Sequence, residues 1–271
     1  MIFKGNNFSF DLGKKTYIMG ILNVTTDSFS DGGNFNTVEN ALNRVSQMIA
    51  EGVDIIDIGG ESTRPGHTVV EEDEELNRVI PIIKAIREKY DIPISVDTYK
   101  GKVAEEAIKA GANLINDVYG FKKCPYISKV AAKYGVPCCL MHNREDNIYQ
   151  KDIIETMIDD IKESIKIALD AGVKKENIML DPGIGFAKTL EDNLKVMNRL
   201  EEFKVENYPI LLGTSRKSMI GLTLDLPVNQ RVEGTIATTV LGIAKGIDFI
   251  RVHDIKENKR ASQMADAMIR I

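Results

Sequence analysis

Cysteine is scarce: Cys124, Cys138 and Cys139 are the only three in 271 residues. An odd count without metal-ligand spacing argues against a disulfide framework and against a cysteine metal site. Cys138 and Cys139 are neighbours inside an apolar run, so a strand would point them to opposite faces as reduced, buried thiols. Positive charge is not in excess. Lys and Arg number 35 against 40 Asp and Glu, a formal net charge of −5. That argues against a general nucleic-acid or anionic-membrane surface but leaves room for a local anion pocket. Long apolar runs are missing too. The longest aliphatic stretch, Ile236 to Ala244, contains Thr238, Thr239 and Gly242 and falls well short of the ~18 residues that span a bilayer. The first residues, Met1-Ile2-Phe3-Lys4-Gly5, lack the basic and then apolar regions of a signal peptide, so a cytoplasmic protein is expected. No linker or low-complexity segment divides the chain, and one domain over residues 1–271 is expected.

What is present is a repeated junction. An amphipathic helix ends, a glycine follows and an apolar strand begins, at Gly52, Gly111, Gly135, Gly172 and Gly246. Glycine just past a helix takes the left-handed conformation that closes it. Recurrence of this junction marks a βα array with a parallel sheet. Strands are expected at Tyr17–Leu22, Asp54–Ile58, Ile94–Val96, Leu114–Ile115, Pro137–Met141, Ile178–Leu180, Ile210–Leu212 and Phe249–Val252. They are short and rich in Ile, Val and Leu, as strands buried on both faces are. Helical periodicity lies between them, for example Leu76, Val79, Ile80, Ile83 and Ile86, or Ile154, Met157, Ile158, Ile161, Ile165 and Ala168. The acidic run Glu71 to Glu75 reads as a solvated first turn suited to the helix dipole, and Thr98 and Thr189 stand where N-caps should. Phe8 and Phe10 alternate with polar residues between turn signals, predicting an N-terminal β-hairpin that covers one end of the domain. Eight strand–helix units predict a closed (β/α)8 TIM barrel. The rival, an open doubly wound sheet, would show a Gly-x-Gly-x-x-Gly turn after the first strand, and none is there.

In such a barrel the residues just past the strand C-termini share one face, where active sites lie. Those positions hold Asn23, Asp57, Asp97, Asn116, Met141 with His142, Asp181, the group Ser215-Arg216-Lys217, and Arg251 with His253. Asp181 is the clearest: the apolar run Ile178-Met179-Leu180 ends on it, and Pro182-Gly183-Ile184-Gly185 follows. Pro cannot extend the ladder, and the glycines let backbone pass close to a ligand. Each residue also has a plainer reading. Asp181 would cap the next helix, Asp57 would hold the next loop, and His142 would satisfy a buried backbone group. Two long loops share this face, Thr25 to Asn36 and Gly59 to Val70, with glycines beside charged residues as a lid requires. Asp97, Asn116 and Asp181 suit a flat nitrogen heterocycle with an amino group and ring N–H, Lys217 its carbonyl oxygen. Arg251 suits stacking on the ring or a phosphate. His253, Arg251 and Asn23 suit an anion.

Several stretches then resemble the dihydropteroate synthases. Met19 to Gly33 looks like their first signature, and Gly59-Gly60-Glu61-Ser62-Thr63-Arg64-Pro65-Gly66 like the second. The likeness continues through Ser95-Val96-Asp97-Thr98, Asn116-Asp117, Leu140-Met141-His142, Leu180 to Lys188, Gly213 to Ser218 and Arg251-Val252-His253-Asp254, in the family's order. Thr26 departs from the family, where most members have Pro. The resemblance implies a TIM-barrel transferase that condenses 6-hydroxymethyl-7,8-dihydropterin diphosphate with 4-aminobenzoate, giving dihydropteroate and pyrophosphate. It implies a pterin site of Asp97, Asn116, Asp181 and Lys217, walled by Val118, Met141, Phe186 and Gly213. Thr63, Arg251 and His253 would serve the diphosphate and Asn23 a Mg2+ ion. Phe29, Asp31, Arg64, Pro65 and Ser218 would form the aminobenzoate site. Asp97, Lys217, Arg251, His253, Asp31 and Arg64 are the expected catalytic set, in a cytoplasmic homodimer with no nucleic-acid or membrane partner.

Three rivals are separable. A methyltetrahydrofolate-dependent methyltransferase on the same barrel would release no pyrophosphate. A Schiff-base aldolase using Lys217 would be trapped by borohydride. A non-catalytic pterin-binding protein would not need Asn23, Arg64, Arg251 and His253 together.

Overall fold

The computed structural model describes residues 1–24, 33–62 and 69–270, with backbone alone for 33–36. Short apolar runs form the strands β3 (Tyr17–Asn23), β4 (Ile55–Gly59), β5 (Ile94–Asp97), β6 (Leu114–Asp117), β7 (Cys138–Met141), β8 (Ile178–Asp181), β9 (Leu211–Leu212) and β10 (Phe249–Val252). All pair in parallel, in the order β8-β7-β6-β5-β4-β3-β10-β9. The ring closes where Leu180 bridges Ile210, its N–H donating to the Pro209 carbonyl at 2.9 Å. This is the expected TIM barrel. β9 is shorter than predicted because the Ile210 N–H is diverted to the Asp248 side chain at 3.1 Å.

Helices α1 (Gly33–Glu51), α2 (Glu72–Lys89), α3 (Gly101–Ala110), α4 (Tyr126–Tyr134), α5 (Ile153–Asp170), α6 (Leu190–Asn198), α7 (Ser218–Leu224), α8 (Val232–Ala244) and α9 (Ile255–Ile269) follow the strands. The repeated glycine junction is one structure used five times. Each glycine has φ between 63° and 117°, and the residue after it bonds back across the helix end: Val53 to Met48, Ala112 to Ala107, Val136 to Ala131, Val173 to Ala168 and Ile247 to Gly242. That bond is what permits the abrupt turn into the next strand.

Period-two alternation sorts the strand side chains. The outward set, including Ile18, Ile56, Val96, Ile115, Leu140, Leu180, Leu212 and Ile250, packs with the helices in the main core. The inward set starts as an apolar layer of Met19, Ile55, Leu114, Cys139, Met179, Leu211 and Phe249. Cys138 and Cys139 fall on opposite faces, as alternation requires. The hairpin β1 (Ile2–Lys4) and β2 (Ser9–Asp11) closes the end where the strands begin. Its Phe3 and Phe10 lie edge-on to Phe249, each with centroids 5.6 Å away.

Three expectations are corrected. The first long loop ends earlier than Asn36, because α1 begins at Gly33. Thr98 is no N-cap: its N–H continues the ladder to the Asn116 carbonyl, its hydroxyl accepts from Lys100 N–H, and α3 starts only at Gly101. Thr189 does cap α6, in a reciprocal box with Asp192. The acidic run at α2 is not wholly solvated. Glu75 lies four residues before Val79 on the same face and is buried, paired with Lys100, which also holds Glu61.

Candidate active site

The inward register continues one step further along each strand, and there the chemistry changes. Two residues past the apolar layer stand Asp57 after Ile55, Asn116 after Leu114, Met141 after Cys139, Asp181 after Met179, Gly213 after Leu211 and Arg251 after Phe249. Asp97 joins them from β5, paired in register with Asn116 and Gly59. Strand pairing, not loop conformation, therefore brings these side chains together.

Arg251 is the hub. Its Nε donates to Asp57 Oδ2 and its Nη2 to Asp97 Oδ2, both at 2.6 Å. Asn116 Nδ2 also donates to Asp57 Oδ2, at 3.2 Å. Asp57 is fully buried and sits at the centre of this network. It was visible in the sequence as a strand-end carboxylate, but its plain reading, loop support, is not what it does. The two carboxylates fix the plane of Arg251 through its edge N–H groups, the plane that the expected stacking on a ring would use. Asp57 Oδ1 and Asp97 Oδ1 are buried and accept no hydrogen bond from the described residues. A buried acceptor left so is costly unless a ligand supplies the donor.

Asp181, Lys217 and Gly213 complete the ring. Asp181 Oδ1 accepts from Gly183 N–H at 2.7 Å, and a Cβ on Gly213 would lie 3.6 Å from Asp181 Oδ2 and 3.9 Å from Arg251 Cβ. Lys217 Nζ donates to the Ile184 carbonyl and stands 4.4 Å from the Phe186 ring centroid. Val118 and Met141 form a small apolar cluster with Tyr99, against which Tyr119 and Phe186 pack. The residues expected to hold a pterin thus come together at the C-terminal ends of the strands, polar groups in one network and Val118, Met141 and Phe186 in one apolar cluster.

Three carboxylates (Asp57, Asp97, Asp181) share this centre with two cations (Arg251, Lys217), so that with every group ionised one negative charge is left over. Burial, helped by Asp57 and opposed by Arg251, pushes the Asp97 carboxyl up to about 7. Burial also raises Asp181, against the pull of Lys217. Lys217 is pushed down to about 8 by burial, with Asp181 opposing. Burial works against the Arg251 charge, but Asp57 and Asp97 outweigh it and hold the guanidinium above its ordinary value.

Beside the mouth, His142 joins Asp160 and Lys188, rather than a backbone group. Further along β10, the Ser215 hydroxyl lies 2.9 Å from His253 Nδ1 and accepts from His253 N–H at 3.1 Å. Arg216 is bound at both ends of its fork by Asp254.

Comparison with known proteins decides the lineage. The family model described as pterin binding enzyme matches residues 19–253. A dihydropteroate synthase of Clostridium beijerinckii is 64% identical over 262 residues, 96% of this chain and 97% of that protein. One of Bacillus subtilis is 57% identical over 256 residues, 94% of this chain and 90% of that protein. The crystal structure of the Clostridium difficile dihydropteroate synthase, solved in the presence of pteroic acid, matches with a TM-score of 0.95 at 56% identity, covering 97% of this chain and 100% of that one. The chain belongs to the pterin-binding enzyme family. Its activity is the dihydropteroate synthase reaction of folate biosynthesis.

For a pterin-binding enzyme the placements are then as follows. Asp97, Asn116, Val118, Met141, Asp181, Phe186, Gly213, Lys217 and Arg251 meet at the mouth. His253 stands at its edge beside Ser215, and Ser218 opens α7 next to Lys217, exposed. Phe29, Asp31, Thr63, Arg64 and Pro65 lie outside the described residues. Asn23 ends β3 opposite Gly59, in the inward register. Its amide oxygen is a hard ligand, and no cluster of three His, Cys, Asp or Glu suited to a metal occurs among the described residues. One protein oxygen fits a Mg2+ ion held mainly by phosphate oxygens and water. No helix among the described residues is long and apolar enough to cross a membrane.

Sequence reasoning missed Asp57 as the partner of Arg251, and missed the group of buried Glu61, Glu75 and Tyr99 with Lys100. There Tyr99 donates to Glu61 Oε1 at 2.8 Å while Lys100 bridges both glutamates. The usable signal was periodicity, which puts Asp57 two residues past Ile55 and Glu75 four before Val79.

Proposed function

We propose that this chain performs the dihydropteroate synthase reaction with the pterin seated between Asp57, Asp97, Asn116, Asp181 and Lys217. The observation that carries the assignment is the pair of buried carboxylate oxygens, Asp57 Oδ1 and Asp97 Oδ1, beside a fixed guanidinium. Pterin carries an exocyclic amino group and ring N–H donors that match such acceptors. Lys217 would donate to the ring carbonyl, and Val118, Met141 and Phe186 would hold the ring plane. Arg251 and His253 would face the diphosphate from the end of β10, with Thr63 from the second loop.

The amine of 4-aminobenzoate is a weak nucleophile, because its lone pair is shared with the ring. Catalysis therefore gains most from helping the leaving group. A Mg2+ ion held at Asn23 would neutralise charge on the departing pyrophosphate. Arg251 and His253 would add electrostatic stabilisation there. Bond cleavage ahead of attack leaves positive charge on the pterin methylene, which the surplus negative charge of the centre favours. Asp31, Arg64, Phe29, Pro65 and Ser218 would line the aminobenzoate side and keep water from the cation.

The protein is also proposed to act as a cytoplasmic homodimer. Exposed Leu222 and Leu224 on α7, Leu241 on α8, and Met264 and Met268 on α9 give apolar surface for a second copy. Sedimentation would test this; a concentration-independent monomer would overturn it.

The test of the active site is direct. Purified protein with the pterin diphosphate, 4-aminobenzoate and Mg2+ should form dihydropteroate and release pyrophosphate. In calorimetry, Lys217→Ala and Asp181→Ala should each weaken pterin binding. Unchanged affinity in both would reject this pocket.

A further inference from the structure

We propose that Lys188, held by His142, is a positioning residue for the pterin site: its ammonium fixes the backbone of the strap from Gly183 to Phe186 from behind and so sets where Phe186 stands. This rests on the reading that Phe186 and Lys217 hold the pterin.

The strap follows Asp181, and within it the Gly183 carbonyl accepts from Phe186 N–H at 3.1 Å. Lys188 Nζ reaches the Gly183 carbonyl at 3.0 Å and the Phe186 carbonyl at 3.1 Å. Lys217 takes the Ile184 carbonyl from the opposite side, and the Tyr149 hydroxyl takes Ala187 at 2.9 Å. Lys188 has a third partner, His142 Nδ1, at 2.9 Å. Three acceptors match the three hydrogens of an ammonium; a neutral amine has only two. Because Nδ1 accepts, the His142 proton lies on Nε2, which donates to Asp160 Oδ2 at 3.1 Å. Arg144 donates to the same oxygen at 3.1 Å. The chain Arg144–Asp160–His142–Lys188 thus runs from the outer helix α5 to the strap. Lys188 is not placed to touch the pterin, since its contacts are on the backbone side.

Burial pushes Lys188 down to about 7, with Lys217 adding to that and Asp181, Asp192 and Asp160 opposing it. The three acceptors favour the charged form, so the strap holds its geometry best below neutral pH.

Substitutions at Lys188 and His142 test the proposal, with the pterin diphosphate and 4-aminobenzoate titrated separately. Lys188→Met should raise the KM for the pterin diphosphate about ten- to hundredfold and leave the KM for 4-aminobenzoate unchanged. In a Phe186→Ala background the same change should add little, because both act through one ring. His142→Asn keeps an acceptor where Nδ1 stands and should retain near-normal pterin KM, whereas His142→Leu should not. Equal rises in both KM values, or full additivity with Phe186→Ala, would overturn the proposal. So would a His142→Asn variant as impaired as His142→Leu. If Phe186→Ala and Lys217→Ala themselves leave pterin affinity unchanged, the pocket assignment fails and the proposal with it. If those two weaken binding and Lys188→Met does not, the proposal alone fails.

Discussion

Replacing Asp57 by Asn separates the folding role of this carboxylate from its binding role, because only the first has a compensating term. Asp57 Oδ2 takes Arg251 Nε at 2.6 Å and Asn116 Nδ2 at 3.2 Å, while Oδ1 takes nothing from the described residues. An Asn can keep its oxygen toward Arg251 and Asn116. The Arg251 bond then loses its ionic character, a loss of about 1 kcal/mol, the difference between a charged and a neutral hydrogen bond. Against this, one guanidinium holds Asp57 and Asp97 close, and the substitution removes the repulsion between them, a contribution of opposite sign and similar order. The two terms nearly cancel. Thermal stability should therefore change by no more than about 5 °C. Ligand binding has no such compensation. With the oxygen committed to Arg251, the Asn nitrogen occupies the place of Oδ1 and presents donors to the donors of the pterin. An unpaired buried donor costs about 1–3 kcal/mol, so the Kd for the pterin should rise roughly ten- to hundredfold. Asp97 reports the same change independently. Asp57 is one of the groups that raise its carboxyl to about 7, so the limb of the pH–rate profile due to Asp97 should move to lower pH in the variant. Scanning fluorimetry, calorimetry and a pH profile measure all three. A large fall in melting temperature with unchanged pterin affinity would refute the assignment and return Asp57 to supporting the next loop.

Other expectations follow from neighbouring geometry. Burial pushes His142 down to about 4 from an ordinary 6.5, so the fold favours the neutral ring. Its stabilisation is complete above pH 6.5 and is lost as pH falls from there through 4, about 3 kcal/mol in all. Urea midpoints from pH 8 to 4 should therefore fall more steeply for the parent protein than for His142→Asn, and identical slopes would contradict this. Gly183→Ala places a Cβ 1.9 Å from the His142 carbonyl at φ 66°. The strap must move, at about 1–3 kcal/mol for the backbone alone, and kinetics should show a raised pterin KM with an unaltered aminobenzoate KM. Lys100→Met leaves buried Glu61 and Glu75 without their shared cation. The loss of about 3–5 kcal/mol should lower the melting temperature by roughly 10 °C, and adding Glu75→Gln should recover part of it.

Much of the barrel was legible because one rule generates it. Strands buried on both faces must be short and apolar, helices must end in a residue that tolerates positive φ, and both marks recur along the chain. The polar layer was legible for the same reason: Asp97, Asn116, Asp181 and Arg251 end strands of known parity. Pairing was not legible. Arg251 meets Asp57 across 194 positions of sequence, and only the closing of the ring between β10, β3 and β4 makes them neighbours. Lys100 belongs to the third strand–helix unit, yet its partners come from the second. Nothing in a run of five acidic residues says that the last of them turns inward, unless the helix period is carried back to it from Val79. Thr98 failed as a cap for a similar reason. Its N–H was still needed by the ladder, and a residue in the ladder cannot also be the first of a helix.

The layer above Phe249 and Met179 is a poor choice for folding alone. With every group ionised, three carboxylates against two cations leave a buried charge in excess, and burying charge opposes folding unless every lone pair is met. The layer below shows what folding prefers at the same positions of the same strands: Met, Ile, Leu, Cys and Phe. Stability therefore does not account for Asp57, Asp97 and Asp181. A ligand that brings hydrogen-bond donors to the open oxygens, and that becomes more positive as its bond to the diphosphate breaks, would meet both deficits at once. Arg251 explains why the cost is bearable before the ligand arrives. Its rigid fork satisfies one oxygen from each of two strands without covering the other oxygen of either, which a single lysine ammonium on a flexible stem would not do. The arrangement is thus least favourable for the protein alone where, on the proposed mechanism, it would be most complementary to a dihydropterin cation beside its departing phosphates.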